Sequence, residues 1–481
     1  MLTRSDLSQD QIVAFDAILA WLGGSGPFTG KKTLSLGGYA GSGKSTVVSV
    51  LAHELLKLGP LAFCAFTGKA SSVLARKLQE SGISTSPKTA SRRPGGLGGI
   101  SPRPYCGTIH GLVYAPCDVC MPTEPKHTCE SEDFSGSCVA CEAEKPEAKK
   151  VRAAAKKGFC EKCKNARFTR RGALDRSYRL IIVDEASMVD DAMLKDLLGY
   201  GVPILAVGDH GQLPPVKGAG SLMKHPDVKL EKIHRQAAGN PIIALSAAIR
   251  QTGNVDWSLV DGDRIVSMSR SEVSEYIKTR FTAERLESKD VLSTTLVTWT
   301  NHQRVALNHE VRQALGTANV PPRAGEAVIC LKNKAPIYNG MRGIVMTDSK
   351  VMADGEEVPG GDVARAAKEM NLDTTYVQYK TTVDFVEDGL TEDVDMADAQ
   401  LFTEKTIDYE TAQKEGLSLS KLGDLYDFGY AMTCHKMQGS SSDEVIVFLD
   451  GVRMPDREQM TRWLYTAATR ASSRLILVGG K

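Results

Sequence analysis

At 481 residues the chain is too long for a single hydrophobic core, and three or four domains are expected. Hydrophobic residues at 42% and charged residues at 24% mark a soluble globular protein. The formal net charge of +1 excludes a general basic bias, so any nucleic-acid surface must be a local patch.

The N-terminus, MLTRSDLSQDQ, lacks the basic-then-apolar layout of a secretion signal, and no apolar run reaches the length of a membrane span. A reducing cytosol is the expected compartment. From Leu7 the sequence LSQDQIVAFDAILAWL has helical apolar spacing opened by a polar cap. Gln11 sits near its start; a glutamine amide can pair with both donor and acceptor on an adenine edge, whereas alone it would be solvated surface.

Thr33 to Thr46, TLSLGGYAGSGKST, reads as a buried strand entering a phosphate-binding loop and then a helix. Gly38, Gly43, Lys44 and Ser45 fit G-x-x-x-x-G-K-[ST]. With Ala40, Gly41, Ser42 and Thr46 they make a small-residue cradle whose N–H groups face the β- and γ-phosphates of ATP. Lys44 supplies the ammonium and Ser45 a hydroxyl for Mg²⁺. LAFCAF, residues 61–66, reads as the next strand, and its end turns through Thr67-Gly68-Lys69-Ala70 into a helix. In a parallel sheet such loops share the edge where ligands bind. PGGLGGISPRP is a loop, followed by Thr108-Ile109-His110.

Seven of the 11 cysteines crowd into Cys117 to Cys163. In a reducing compartment that crowding points to metal before disulfide. Cys117, Cys120, His127, Cys129, Cys138, Cys141, Cys160 and Cys163 make eight candidate ligands, enough for two tetrahedral zinc ions. A nested pairing would place Cys117, Cys120, Cys160 and Cys163 on one ion and the other four on the second. One zinc with spare thiols, disulfides and an iron–sulfur cluster are the alternatives. The segment has too few apolar residues to fold without such a staple. Its later part, EKPEAKKVRAAAKK and KCKNARFTRR, is basic and suits duplex phosphates, although a solvated helix would explain it too.

RLIIVDEASM restarts the sheet, with Asp184 and Glu185 at the carboxyl end of a buried strand. Asp184 can hold the Mg²⁺ shell, and Glu185 can take a proton from attacking water. PILAVGD ends in Gly208 to Pro215, where Gln212 could sense the γ-phosphate or orient water. His234-Arg235-Gln236 then leads into the helical NPIIALSAAIR, where a domain change is read. Leu292 to Trp299 is a β-branched run ending in Thr300-Asn301, followed by a helix, as if a second α/β unit begins. Residues 336–423 change texture, with turn signals and alternating strands, and read as a β-rich module. The second unit resumes with YAMTCHKMQG, the strand EVIVFL, a helix carrying LYTAATRA, and RLILVGG.

In order, GYAGSGKST, TGKA, TIH, VDEASM, GDHGQLPPV, HRQ, YAMTCHKMQGSS and LYTAATRA resemble the motifs of the superfamily 1 helicases, in particular the 5′-to-3′ group that includes RecD and the phage Dda helicase. They span Gln11 to Arg470. The resemblance implies two RecA-like parallel-sheet domains, 1–110 with 179–236 and 237–335 with 424–481. A zinc-binding insertion, 111–178, would stand where the family carries a strand-separating pin, and a small SH3-like β-rich insertion, 336–423, would interrupt the second domain. It implies one ATP site at the domain cleft, with Arg235 and Arg470 reaching the γ-phosphate and Arg470 coming from the second domain. Contacts to single-stranded DNA would come from Thr67, Thr108 and His110 on one side and Thr300, Asn301, Thr433 and His435 on the other. The implied activity is ATP-driven 5′-to-3′ translocation and duplex separation by a monomer in a bacterial cytosol, or a host's if phage-encoded, working at forks and with replication or recombination proteins. An RNA helicase of the same superfamily, or a nucleic-acid-stimulated ATPase switch without unwinding, are the alternatives.

Overall fold

Strands buried on both faces read as unbroken apolar runs, and the chain folds two sets of them into parallel sheets. The computed structural model describes residues 3–86, 103–116, 168–215, 220–232, 239–318, 320–332, 337–353, 355–358, 369–370, 376–385, 390–402, 422–450, 452 and 456–480. The first lobe contains β1 (Thr33–Gly38), β2 (Leu61–Ala65), β3 (Tyr105–Thr108), β4 (Tyr114–Pro116), β5 (Phe168–Arg170), β6 (Leu180–Asp184), β7 (Ile204–Gly208) and β8 (Val228–Leu230). Six of these form one sheet in the order β3-β2-β6-β7-β1-β8, every pair parallel. The remaining two, β4 and β5, pair antiparallel as a short ribbon, with Pro116 opposite Phe168. The stretch between them, including all eight candidate zinc ligands, lies outside the described residues.

Strand order decides which loops meet. β6, β7 and β1 are neighbours, so the loops after them, which carry Asp184, Gly208–Pro215 and the phosphate loop, converge at the sheet's centre. β2 and β3 lie at one side, and Thr67 and Thr108 follow them there.

The second lobe has β9 (Ile265–Met268) and β10 (Thr294–Thr298). After them come β11 (Ala327–Cys330), β12 (Arg342–Val345), β13 (Lys350–Ala353), β14 (Glu356–Val358), β15 (Gln378–Phe385), β16 (Leu390–Ala397) and β17 (Tyr426–Phe428). β18 (Ala431–Thr433), β19 (Ser442–Phe448) and β20 (Ala471–Val478) complete it. A five-stranded parallel sheet runs β18-β10-β19-β20-β9. The other seven form an antiparallel sheet ordered β14-β13-β15-β12-β11-β17, with β16 against β15. β11 and β17 fall in segments assigned to the second α/β unit, yet β11 pairs antiparallel with both β12 and β17, so the β-rich module runs from Ala327 to Phe428. A short apolar run such as AVIC has the same pattern in a parallel core and in a two-sided antiparallel one, so its membership was not readable.

The module is anchored by a buried ion pair. Arg312, on the helix Asn301–Ala314, donates from Nε to Glu326 Oε1 at 2.7 Å and from Nη2 to Oε2 at 3.1 Å, and its guanidinium lies 4.0 Å from the Phe428 ring centre. Thr317 Oγ1 donates to the same carboxylate at 2.8 Å. Both charged side chains are almost wholly out of water, 2% and 0% exposed. Removing one partner leaves an uncompensated buried charge, so Glu326→Ala is expected to cost about 3 to 5 kcal/mol. Calorimetric unfolding should show this as a lowered transition temperature for the second lobe.

Candidate nucleotide site and strand-facing edge

The phosphate loop is shaped by its glycines. Gly41 and Gly43 hold φ of 79° and 78°, and Gly43 starts the helix Lys44–Leu56 from the left-handed region. A Cβ on Gly38 would stand 2.5 Å from Ser42 Oγ and 3.0 Å from Lys44 Cγ, so only glycine leaves the cradle open. The Lys44 ammonium donates to Gly38 O at 2.6 Å and Tyr39 O at 3.0 Å, inside the loop. Ser45 lies exposed at the first turn of the helix, where its hydroxyl accepts from Lys77 Nζ at 3.2 Å. Thr46 follows it.

Gln11 is buried beside this loop. Its carbonyl oxygen accepts from the Ser8 N–H at 3.0 Å, closing a capping box on the helix Gln9–Leu22, and its amide donates to Ser42 O at 3.3 Å. The side chain therefore braces the loop as well as standing near it.

Asp184 ends β6 and accepts from the Glu185 N–H at 3.0 Å. Glu185 adopts φ 52°, a left-handed conformation that costs a residue with a Cβ about 1 kcal/mol and that recurs at functional sites. Burial, and after it the charge of Asp184, pushes its carboxyl above the ordinary glutamate range, while Arg470 and Lys44 pull the other way.

After β7, Asp209 is 1% exposed and accepts from the Gly211 N–H at 2.9 Å, Gln212 Nε2 at 3.4 Å and the Tyr465 hydroxyl at 2.6 Å. Gln212 is buried, and its Oε1 has no hydrogen-bond partner among the described residues; the buried Ser42 and Ser187 hydroxyls are likewise unmatched. Unmatched buried polar atoms are costly unless a ligand uses them, and here they flank a phosphate loop. A cleft of about 240 Å³ opens beside Ser187, Asp209 and Gln212, with Asp456 and Arg462 of the second lobe on its other wall. The donor set suits ATP with Mg²⁺. Lys44 and the loop N–H groups would hold phosphates, Ser45 and Asp184 the metal, and bound Mg²⁺ would neutralise charge on the phosphate oxygens.

Arg470 follows the helix Arg457–Ala468 and is 6% exposed. It donates to Thr466 O at 3.0 Å, Ser440 O at 3.1 Å and Thr469 Oγ1 at 3.1 Å, all uncharged. Arg235 lies outside the described residues.

Thr67, Thr108 and Thr300 share a local role. Each caps a helix, accepting the N–H of Ala70 at 3.1 Å, Gly111 at 3.0 Å and Gln303 at 3.2 Å. Among the described residues each hydroxyl proton is left to donate, as a phosphate oxygen requires. β10 and β18 are neighbours, so Thr300, Asn301, Thr433 and His435 gather at one side of the second sheet, as Thr67, Thr108 and His110 do on the first. Burial pulls His110 and His435 below the ordinary histidine range, so both are neutral at pH 7. The β-rich module also reaches this edge, since a Cβ on Gly68 would lie 2.1 Å from Tyr338 Cβ.

Sequence reasoning passed over Tyr465, Thr466, Arg462 and Asp209. A buried tyrosine five positions ahead of the predicted arginine was the available signal, because a phenol in a helix core needs a polar partner.

The fold and the site together define a two-lobed α/β protein with a phosphate-binding loop. Two family models match it: an AAA domain over residues 27–218 and a UvrD-like helicase C-terminal domain over residues 428–478. The ATP-dependent RecD2 DNA helicase of Deinococcus radiodurans is 29% identical over 316 residues, 63% of this chain and 36% of that protein. The RecBCD enzyme subunit RecD of Mycolicibacterium smegmatis is 26% identical over 354 residues, 66% of this chain and 53% of that one. The chain thus spans about a third to a half of these relatives' lengths. Among solved structures, similarity extends to Pif1 helicase from Candida albicans, 17% identical with a TM-score of 0.44 over 99% of this chain and 95% of that one. Bacteroides Pif1 with ADP-AlF3 and single-stranded DNA is 16% identical, with a TM-score of 0.47 over 98% and 92%.

Proposed function

We propose that this chain is an ATP-dependent DNA helicase that moves 5′ to 3′ on single-stranded DNA and separates duplex. The observation that carries the reading is a second-lobe helix bonded to the phosphate loop: the Tyr465 hydroxyl accepts from the Ala40 N–H at 3.0 Å, and Arg470 follows that helix. A γ-phosphate held by Lys44 would gain the positive charge of Arg470 only with the lobes together, so hydrolysis is tied to closure. The single strand lies across Thr67, Thr108, His110, Thr300, Asn301, Thr433 and His435. Closure and reopening then move one grip relative to the other. Similarity to a RecD2 DNA helicase supports DNA as the track. Direction rests on the motif resemblance. Replication or recombination proteins are the expected partners, the chain acts as a monomer, and its compartment is cytosolic.

The test uses forked duplexes with either a 5′ or a 3′ single-stranded tail, together with ATP turnover on DNA and RNA oligonucleotides. Displacement of the 5′-tailed fork with DNA-stimulated turnover is the expected result. Stimulated turnover without displacement would leave an ATPase switch, and preference for RNA would change the track.

On ligand spacing, the 111–178 insertion is proposed to hold two zinc ions. Among the described residues no group of three or more histidine, cysteine or acidic side chains is arranged for metal. From the eight candidate ligands, metal analysis of purified protein should find close to two equivalents, all lost on Cys117→Ser with Cys160→Ser and His127→Ala with Cys138→Ser combined. Less than one equivalent in the intact protein would count against two sites.

A further inference from the structure

Tyr465 joins three elements through one oxygen. Its ring is 1% exposed and packs in the second lobe's core with Leu213, Met437 and Trp463. Its hydroxyl accepts from the Ala40 N–H of the phosphate loop at 3.0 Å and donates to Asp209 Oδ2 at 2.6 Å. The direction is fixed, because an amide can only donate and the phenol has a single proton to give. Around it the Leu213 N–H donates to Thr466 Oγ1 at 3.0 Å, Gln438 Nε2 to Leu213 O at 3.0 Å and Arg462 Nη1 to Gln212 O at 3.2 Å. Of these cross-lobe bonds, the one from Ala40 ends on the phosphate loop itself.

Arg470 follows the same helix directly after its C-cap. Tyr465 and Thr466 lie in its last turns, and the Arg470 guanidinium is bonded back to Thr466 O. A shift of the phenol relative to Ala40 therefore shifts the guanidinium relative to Lys44 and Glu185. We infer that Tyr465 is a positioning residue that sets Arg470 in register with the phosphate loop, through a hydroxyl bridging the Ala40 N–H and the Asp209 carboxylate. This rests on the ATPase reading above. Its consequence is a division of labour: the loop binds nucleotide by itself, while the bridge sets the rate at which bound nucleotide is cleaved.

Tyr465→Phe keeps the ring and removes the bridge. Misplacement of a catalytic group by about 1 Å can cost about 10²-fold in rate, so strand-stimulated kcat should fall by about that factor with KM for ATP changed less than about threefold. Asp209→Ala withdraws the phenol's acceptor and should give a similar loss. In the double variant the losses should not multiply, as expected of residues acting through one bond. Hydrogen exchange read by mass spectrometry on the peptide spanning residues 36–42 provides a measure independent of turnover and should be faster in Tyr465→Phe. Three results would each overturn the inference: kcat within twofold of the parent, a loss carried by KM alone, or unchanged exchange over residues 36–42. A parent chain that showed no strand-stimulated turnover would instead sink the helicase reading, and the exchange measurement would still decide whether the bridge holds the loop.

Discussion

Replacing Arg470 by alanine is expected to lower strand-stimulated ATP turnover by about 10³-fold while leaving nucleotide affinity within a few-fold. The size follows from how this arginine is held. Its donors go to the carbonyls of Thr466 and Ser440 and to the Thr469 hydroxyl, and among the described residues it forms no ion pair. A guanidinium fixed by neutral acceptors keeps its whole charge for the cleft, and its geometry is pre-organised. Affinity should change little, because Lys44 and the loop amides belong to the first lobe. The same bonds close the end of the helix Arg457–Ala468, so a structural loss must be separated from a chemical one. Arg470→Lys retains a charge but not the planar fork. If it unfolds at the parental temperature and still turns over at least about 10²-fold slower, the guanidinium acts on the phosphate. Turnover of Arg470→Ala equal to the parent's would remove the reason for two lobes to share one site.

Much of this site was legible because phosphate chemistry leaves local marks. GYAGSGKST needs its glycines at fixed places, and Gly41 and Gly43 indeed take positive φ. VDEAS after an apolar run put Asp184 at a strand's end, where the sheet delivers it beside the phosphate loop. What stayed hidden depends on contacts between residues distant in sequence. Tyr465 meets Ala40 across 425 positions, and no periodicity encodes that meeting. Gln11, read for adenine, also caps its own helix through its carbonyl oxygen and braces Ser42 through its amide nitrogen, local bonds that a polar residue at the third helical position often makes. That Ala327–Cys330 joins the antiparallel sheet was not legible either, because burial on both faces erases the alternation that marks an antiparallel strand. Tyr39 gave no signal either. Its ring lies 3.3 Å from the Arg250 guanidinium of the helix Pro241–Thr252, a further cross-lobe contact beside the loop.

Glu185→Gln should stop turnover and, in the same molecule, make the fold more stable. The carboxyl is raised first by burial and then by Asp184, so the folded protein favours its protonated form more than the unfolded chain does. The sign follows by linkage. The contribution to stability is fully present below the unfolded value, about 4.3, and is lost as pH rises through the higher folded value, so at neutral pH the ionised Glu185 is a net cost. Glutamine has similar size and no charge, which removes that cost. An unfolding temperature above the parent's at pH 7.5, with the gap closing as the pH is lowered towards the ordinary glutamate range, is the expected pattern. Turnover responds oppositely. A carboxylate that accepts a proton from water contributes about 10² to 10⁴ in rate, so kcat should fall by that order with ATP still bound. In the parent, the acid limb of the kcat profile should lie above the ordinary glutamate value and be absent from the residual rate of the variant. A variant as active as the parent would assign the proton to another acceptor. One that loses activity but gains no stability would mean that the raised carboxyl is relieved by a partner the ionised form depends on.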